Sequence, residues 1–276
     1  MQTNPLGIMQ GRLLPKYQGR FQAHPVNYWH REFPIASSLD LDCIEFILDF
    51  NLANSNPLLT NEGIEQINSL SNKYNVKVLS VCADYFMEAP LHSENKQVAV
   101  KSLEVLKKLL MSSKYTDIRD FVIPCVDSSR LQNDYQIEQF CELISEVVPL
   151  AEKLKVNLAL ETDLNPKDFV SLLSKLDSIR VTVNYDIGNS ASLGYVIKEE
   201  LEAYGERISD VHIKDRLLNG ESVPLGSGVA KFDDFFSLIK KYNFEGPCIF
   251  QTYRDDEGLE VFKNQQKWAT RRYFNK

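Results

Sequence analysis

Short apolar runs recur along the chain and alternate with longer segments whose apolar positions return at helical spacing. The runs are PLGIMQ, DCIEFIL, VKVLSVCADYF, DFVIPCV, VNLALET, RVTVNYDIG, SDVHIKD and PCIFQTY. Their near-continuous hydrophobicity is that of parallel strands buried on both faces. Between them, TNEGIEQINSLSNKYN places Ile64, Ile67 and Leu70 on one helical face behind a Thr60/Asn61 capping signal. NKQVAVKSLEVLKKLLMSSK does the same with Val98, Leu103, Leu106 and Leu110. Helices are predicted in the same way over QIEQFCELISEVVPLAEKL, NPKDFVSLLSKL, FDDFFSLIKKYN and LEVFKNQQKWATRRYF.

This alternation predicts an α/β protein, a single (β/α)8 TIM barrel occupying residues 1–276 as one domain. An open doubly wound sheet shares the periodicity. Its dinucleotide fingerprint is missing, because Gly7 and Gly11 do not make a GxGxxG after the first run. The least regular stretch, GRLLPKYQGRFQAHPVNYWHREFP, suits an active-site loop after strand one, and equally a mobile surface loop.

Composition narrows the picture without deciding it. Hydrophobic residues at 43% and charged residues at 25% are ordinary for a globular protein with a sizeable core. A net charge of −7 argues against a nucleic-acid surface, while leaving room for a local basic pocket. The segment MQTNPLGIMQGRLLP lacks the charged and apolar regions of a signal peptide, and no apolar run is long enough to span a membrane. The five cysteines are scattered without CxxC spacing, and Cys43, Cys82 and Cys125 sit inside strand-like runs. A reduced, cytoplasmic protein is the expectation.

In a barrel of this kind, chemistry gathers where strands end. The fifth run delivers Glu161, the sixth Asp186, the seventh His212 and the eighth Gln251. Each alone has an ordinary structural explanation: a capping carboxylate for Glu161 or Asp186, a hydrogen-bonded core histidine for His212. Together, oxygen donors and one imidazole suit a divalent ion such as Mn²⁺, Mg²⁺, Co²⁺ or Zn²⁺.

The order of Glu161, Asp186 within DIGN and His212 within HIKD resembles the xylose isomerase-like TIM barrels. That family takes in sugar phosphate isomerases and epimerases and dehydratases, and more distantly the AP endonuclease family 2 superfamily. PLGSGVAKFDDFFSLIKKYNFEGP also resembles the family's glycine loop and final helix before the last strand. The resemblance implies a divalent ion held by Glu161, Asp186, His212 and Gln251, and a small-molecule sugar or sugar phosphate as substrate. A homo-oligomer is expected from it as well. The chain departs from the family pattern twice: Gln251 stands where the epimerases have a glutamate, and Asn189 where they tend to have a histidine. A glutamine can coordinate through its carbonyl oxygen but cannot act as a base.

Isomerisation or epimerisation of a keto-sugar begins by removing a proton beside a carbonyl. Glu161 is the first candidate for that step by resemblance, and Glu45 and Lys214 rank next, ahead of Asp84 and Asp163. Glu45 is alternatively a structural carboxylate paired with an arginine below the site. Arg216 first, with Arg12, Arg254 and Lys214, are candidates for an anionic substrate group, with Asn189 beside them. The GSG at 226–228 offers backbone N–H groups for a phosphate, or is a plain turn. Tyr85, Phe86 and Trp29 either line the pocket or simply pack. The alternative functions are a lyase of the inosose dehydratase type and a carbohydrate-binding barrel without turnover, the latter suggested by Gln251.

Overall fold

A computed structural model describes residues 4–274. The ends of the predicted 1–276 domain, and the first three residues of the segment read for a leader, lie outside them. Besides a two-residue antiparallel pair, Asp215–Arg216 with Ser222–Val223, the strands are β1 (Leu6–Met9), β2 (Cys43–Ile47), β3 (Ser80–Cys82), β4 (Asp120–Cys125), β5 (Asn157–Thr162), β6 (Val181–Asp186), β7 (Ile208–Ile213) and β8 (Cys248–Phe250), which form the barrel. These eight pair in parallel and close on themselves, β1 lying between β2 and β8. One principal helix follows each strand: α1 (Glu32–Ser38), α2 (Asn61–Tyr74), α3 (Lys96–Met111), α4 (Asp134–Leu154), α5 (Pro166–Leu176), α6 (Ile197–Tyr204), α7 (Phe232–Leu238) and α8 (Leu259–Tyr273). The (β/α)8 expectation therefore holds. No helix among the described residues is long and apolar enough to cross a membrane.

Local chemistry accounts for much of this. Thr60 caps α2 by accepting from Gly63 N at 3.1 Å, and Asn133 and Asn165 cap α4 and α5 in the same way. Within a strand, the two-residue period divides the side chains between two environments. In β6, Val181, Val183 and Tyr185 belong to the main apolar cluster between strands and helices, while Thr182, Asn184 and Asp186 alternate with them. A smaller apolar cluster of Met9, Cys43, Ile47, Cys82, Val122, Ala159 and Ile249 packs separately.

Two local readings change. VKVLSVCADYF is strand only over Ser80–Cys82, and Tyr85–Glu88 is a helical turn. The chain bends there because Tyr85 N donates across to Leu48 O while Phe86 N donates back to Ala83 O. In addition, α1 begins inside the stretch read as irregular, and α6 is a helix that the apolar pattern did not single out. The buried positions of α6 include a carboxylate, Glu200, which accepts hydrogen bonds from Tyr185, Tyr204 and Ser190. That polar buried position disguises the helical face.

The long loop between β1 and α1 is anchored by another buried carboxylate. Glu32 Oε1 accepts from Gly11 N at 2.6 Å and Leu13 N at 3.4 Å. Burial pushes its carboxyl up to about 7, against the pull of those two N–H groups. A raised carboxyl contributes stability that is full below its unfolded value and fades as pH rises through the folded one. Wild-type protein should therefore lose stability between pH 5 and 8 by about 2 kcal/mol more than Glu32→Gln, with urea unfolding at both pH values as the measurement. Parallel pH dependence in the two proteins would contradict this.

Candidate active site

The C-terminal ends of β5, β6 and β7 bring three side chains together. One ligand atom each from Glu161, Asp186 and His212 lies within 4.8 Å of the others. Strand register explains part of this. The pairing of β6 with β7 slips at Val183/Asn184, so that Asn184 sits opposite Asp210 and Asp186 opposite His212. His212 Nδ1 then lies 3.9 Å from both Glu161 Oε2 and Asp186 Oδ2.

The other imidazole nitrogen points away from this cluster. His212 Nε2 donates to Glu45 Oε1 at 2.8 Å, and Ser80 Oγ donates to Glu45 Oε2 at 2.6 Å. Glu45 and His212 are both fully buried. With Nε2 carrying its proton toward Glu45, Nδ1 is the nitrogen left to face Glu161 and Asp186. This carboxylate–imidazole pairing is the usual support for a metal-binding histidine. Burial alone would lower the imidazole pKa, but Glu45, followed by Glu161 and Asp210, carries it up to about 10. An ion binding at Nδ1 has to displace any proton there.

Asp186 divides its two oxygens. Oδ1 accepts from Asn189 N at 2.8 Å and so caps the short helix Ile187–Ser192. Oδ2 faces His212 and accepts from Lys214 Nζ at 3.3 Å. The capping role predicted for Asp186 is thus met by one oxygen, while the other faces His212 and Lys214. Glu161 receives Asn189 Nδ2 on Oε1 at 2.7 Å and Asn184 Nδ2 on Oε2 at 3.3 Å. Burial pushes the Glu161 carboxyl up to about 7 against the attraction of His212, with the Asp186 charge adding to the rise. Gln251 joins from β8, its Oε1 accepting from the same Lys214 Nζ at 3.1 Å. Two carboxylates, an imidazole nitrogen and an amide carbonyl form a donor set that fits a divalent ion.

A cavity of about 560 Å³ opens above, with Glu161, Asn189, Lys214 and Gln251 in its lining. The irregular β1–α1 stretch contributes Arg12, Lys16, Arg20, Phe21 and Gln22 to the walls. Phe21 and Tyr253 pair at 6.3 Å as an apolar wall, and the Arg12 guanidinium stacks 5.0 Å over Phe21.

Several expectations need correction. Glu45 is no candidate for touching substrate, because it is buried behind His212 with both oxygens hydrogen-bonded; its partner is that histidine and not an arginine. Tyr85 is absent from the cavity lining and packs on Phe50 and Phe86, while Trp29 packs on Phe33 and Phe46. Arg12 and Arg254 reach the cavity, but their N–H groups go largely to backbone carbonyls: Arg12 to Thr252 and Phe21, Arg254 to Gly11 and Leu14. The GSG amides are taken too, since Gly226 N and Gly228 N each donate to Asp215 Oδ2 at 2.9 Å. Arg216 lines the cavity too, its Nε donating to Gly220 O at 2.8 Å and its Nη1 to Asn189 Oδ1 at 2.9 Å. Asp163 is used in accepting from Asp127 N. Sequence reasoning missed Gln22, Phe21 and Tyr253; the only signal was their place in or beside strand-end loops.

The family model described as xylose isomerase-like TIM barrel matches residues 33–272. L-ribulose-5-phosphate 3-epimerase UlaE of Escherichia coli strain K12 is 27% identical over 250 residues, covering 85% of this chain and 87% of its own. The 3-keto-D-glucoside 4-epimerase YcjR from E. coli superposes with a TM-score of 0.75 at 14% identity, over 97% of this chain and 99% of that one. The IOLI protein, solved with a zinc atom, gives 0.75 at 15% identity over 99% and 100%. At such identity these two structures establish the fold alone.

The buried His212–Glu45 pair carries a stability prediction. Glu45→Ala leaves His212 Nε2 without its partner in the barrel interior and should cost about 3–5 kcal/mol in urea unfolding, with Glu45→Gln costing less. Equal, small losses in both variants would show that the pair does not hold the ring.

Proposed function

From the premise that the chain belongs to the xylose isomerase-like TIM barrel family, we propose that it is a divalent-metal-dependent epimerase of a keto-sugar or sugar phosphate. The observation that carries this reading is the convergence of Glu161, Asp186 and His212 Nδ1 within 4.8 Å at the strand ends. Glu161, Asp186, His212 and the Gln251 carbonyl would hold the ion. Mn²⁺, Mg²⁺, Co²⁺ and Zn²⁺ all suit this donor set. When bound, it would polarise the substrate carbonyl and steady the charge that develops there.

The protein's own groups do the rest. Glu161, the carboxylate of this set that meets the cavity, is the group placed to accept a proton beside the carbonyl. Asn189 and Asn184 fix that carboxylate in place through its two oxygens. Epimerisation also needs a proton returned to the opposite face, and Gln251 cannot supply it. Lys214, whose ammonium lies between Asp186 and Gln251, is the nearby group able to do so. Arg216 and Asn189 offer hydrogen-bonding groups at the cavity wall, and Phe21 with Tyr253 offers an apolar surface for a sugar face. Glu45 takes no proton from substrate in this scheme; it holds the His212 ring.

The relatives' names guide the choice of substrates. One acts on L-ribulose 5-phosphate and a structural neighbour on a 3-keto-glucoside. A second reading is favoured by Gln251: a dehydratase starts with the same proton removal and needs no symmetrical second carboxylate.

Metal analysis is the first test. Purified protein should carry about one divalent ion per chain, absent from Asp186→Ala and His212→Ala. With Mn²⁺ or Co²⁺ added, keto-pentose 5-phosphates and free keto-sugars should be converted to epimers with solvent deuterium at the epimerised carbon. Glu161→Gln should slow that exchange by about 10²–10⁴-fold. An unsaturated or dehydrated product would select the lyase; no bound or stabilising metal would sink both.

A further inference from the structure

The Gln251 amide has two nearly isosteric ends, and only its carbonyl oxygen can bind a cation. Something must therefore decide which end turns toward Asp186. In the structure Oε1 does so, accepting from the Lys214 ammonium that also meets Asp186 Oδ2. The opposite end, Nε2, donates to Gln22 Oε1 at 3.2 Å.

We propose that Gln22, on the β1–α1 loop, is a positioning residue that holds the Nε2 end of the Gln251 amide while Lys214 meets the Oε1 end, and so keeps the carbonyl presented to the metal. The inference rests on the metal-site reading above. Gln22 is itself an amide with two similar ends, but its neighbours leave no ambiguity. Its Nε2 donates to both carboxylate oxygens of Asp84, at 3.0 and 2.8 Å. Its Oε1 accepts from Arg12 Nη2 at 2.9 Å. A guanidinium only donates, and an ionised carboxylate only accepts. Arg12 and Asp84 thus fix the direction of Gln22, and Gln22 passes that direction to Gln251.

The supporting groups are themselves held. Arg12 is buried and anchored on Thr252 O and Phe21 O, the first of these in the residue after Gln251. Asp84 also receives the Cys82 thiol at 3.1 Å. The chain Arg12–Gln22–Gln251 consequently runs from the base of the β1–α1 loop to the end of β8 without a freely rotating amide. A carboxylate at position 251 would need no such device, since its two oxygens are equivalent. The arrangement fits a chain that carries glutamine there.

A double-mutant cycle on Mn²⁺ affinity tests this, read by titration calorimetry or by the free-Mn²⁺ electron paramagnetic resonance signal. Gln22→Met removes the acceptor for Gln251 and Arg12 and the donor to Asp84 while keeping the side-chain length. It should weaken Mn²⁺ binding by about 10-fold or more, the usual effect of losing a group that orients a ligand. In a Gln251→Glu background the same change should leave affinity nearly unaltered. Metal-free melting of each variant reports folding independently of the ion. Wild-type-like affinity in Gln22→Met overturns the inference while the metal site stands. Equal losses in both backgrounds overturn it too, pointing to a general disturbance of the loop. Absence of Mn²⁺ binding in wild type overturns the metal-site reading and the inference with it.

Discussion

Burying Glu45, Glu161, Asp186 and Asp210 around a single imidazole, with few other charges near, is the constraint that shapes this barrel. Each carboxylate loses hydration, and ionised groups in such an interior persist only when paired or hydrogen-bonded. His212 answers this by working on two sides. Its Nε2–H is held by Glu45, and its Nδ1 is turned to Glu161 and Asp186. Lys214 adds a positive charge from the cavity side. Where charge is less balanced, the carboxyl is pushed up: Asp210 is held well above the ordinary carboxyl range by burial, with Glu45 adding to the rise.

The same electrostatics divide the site into a deep layer and a working layer. Glu45 and Ser80 belong to the deep layer, fully buried and bonded to each other. Glu161, Asn189, Lys214 and Gln251 belong to the working layer, at the cavity. Inward positions two residues apart on one strand, such as Asp210 and His212, share a side-chain direction and sit about two residue rises apart along the barrel. A residue's charge alone does not reveal its layer. Glu45 and Glu161 are both buried glutamates, yet only Glu161 meets the cavity.

The β1–α1 loop connects this centre to the periphery. Glu32 pins its base through Gly11 N and Leu13 N, and Arg254 binds the carbonyls of Gly11 and Leu14. Arg20 pairs with Asp49 at 2.8 Å, fixing the loop over the cavity. Arginines near a candidate active site can thus serve mainly as braces, because a backbone turn offers carbonyls that have no strand partner. That bracing leaves Arg216 as the arginine whose contacts lie mostly at the working layer.

The sequence by itself determined the alternation of eight strands with helices, while closure of the sheet into a barrel is a tertiary fact. Strand and helix periods are local properties, and VTVNYD or TNEGIEQINSL carries its burial pattern wherever it folds. Residues at strand ends were also legible, since a barrel delivers them to one face; hence Glu161, Asp186, His212 and Gln251 could be named from position alone. Pairing across the barrel could not. The register slip at Val183/Asn184 that sets Asp186 opposite His212, the placement of Glu45 behind the imidazole, and the meeting of Gln22 with Gln251 across 229 residues of chain all arise from closure. Tyr85 and the GSG turn show the reverse case. Each looks suited to a ligand, but packing takes the ring and Asp215 takes the amides. Only tertiary structure decides which polar groups are already satisfied and which remain for chemistry, because hydrogen-bond partners in a closed barrel come from strands far apart in sequence.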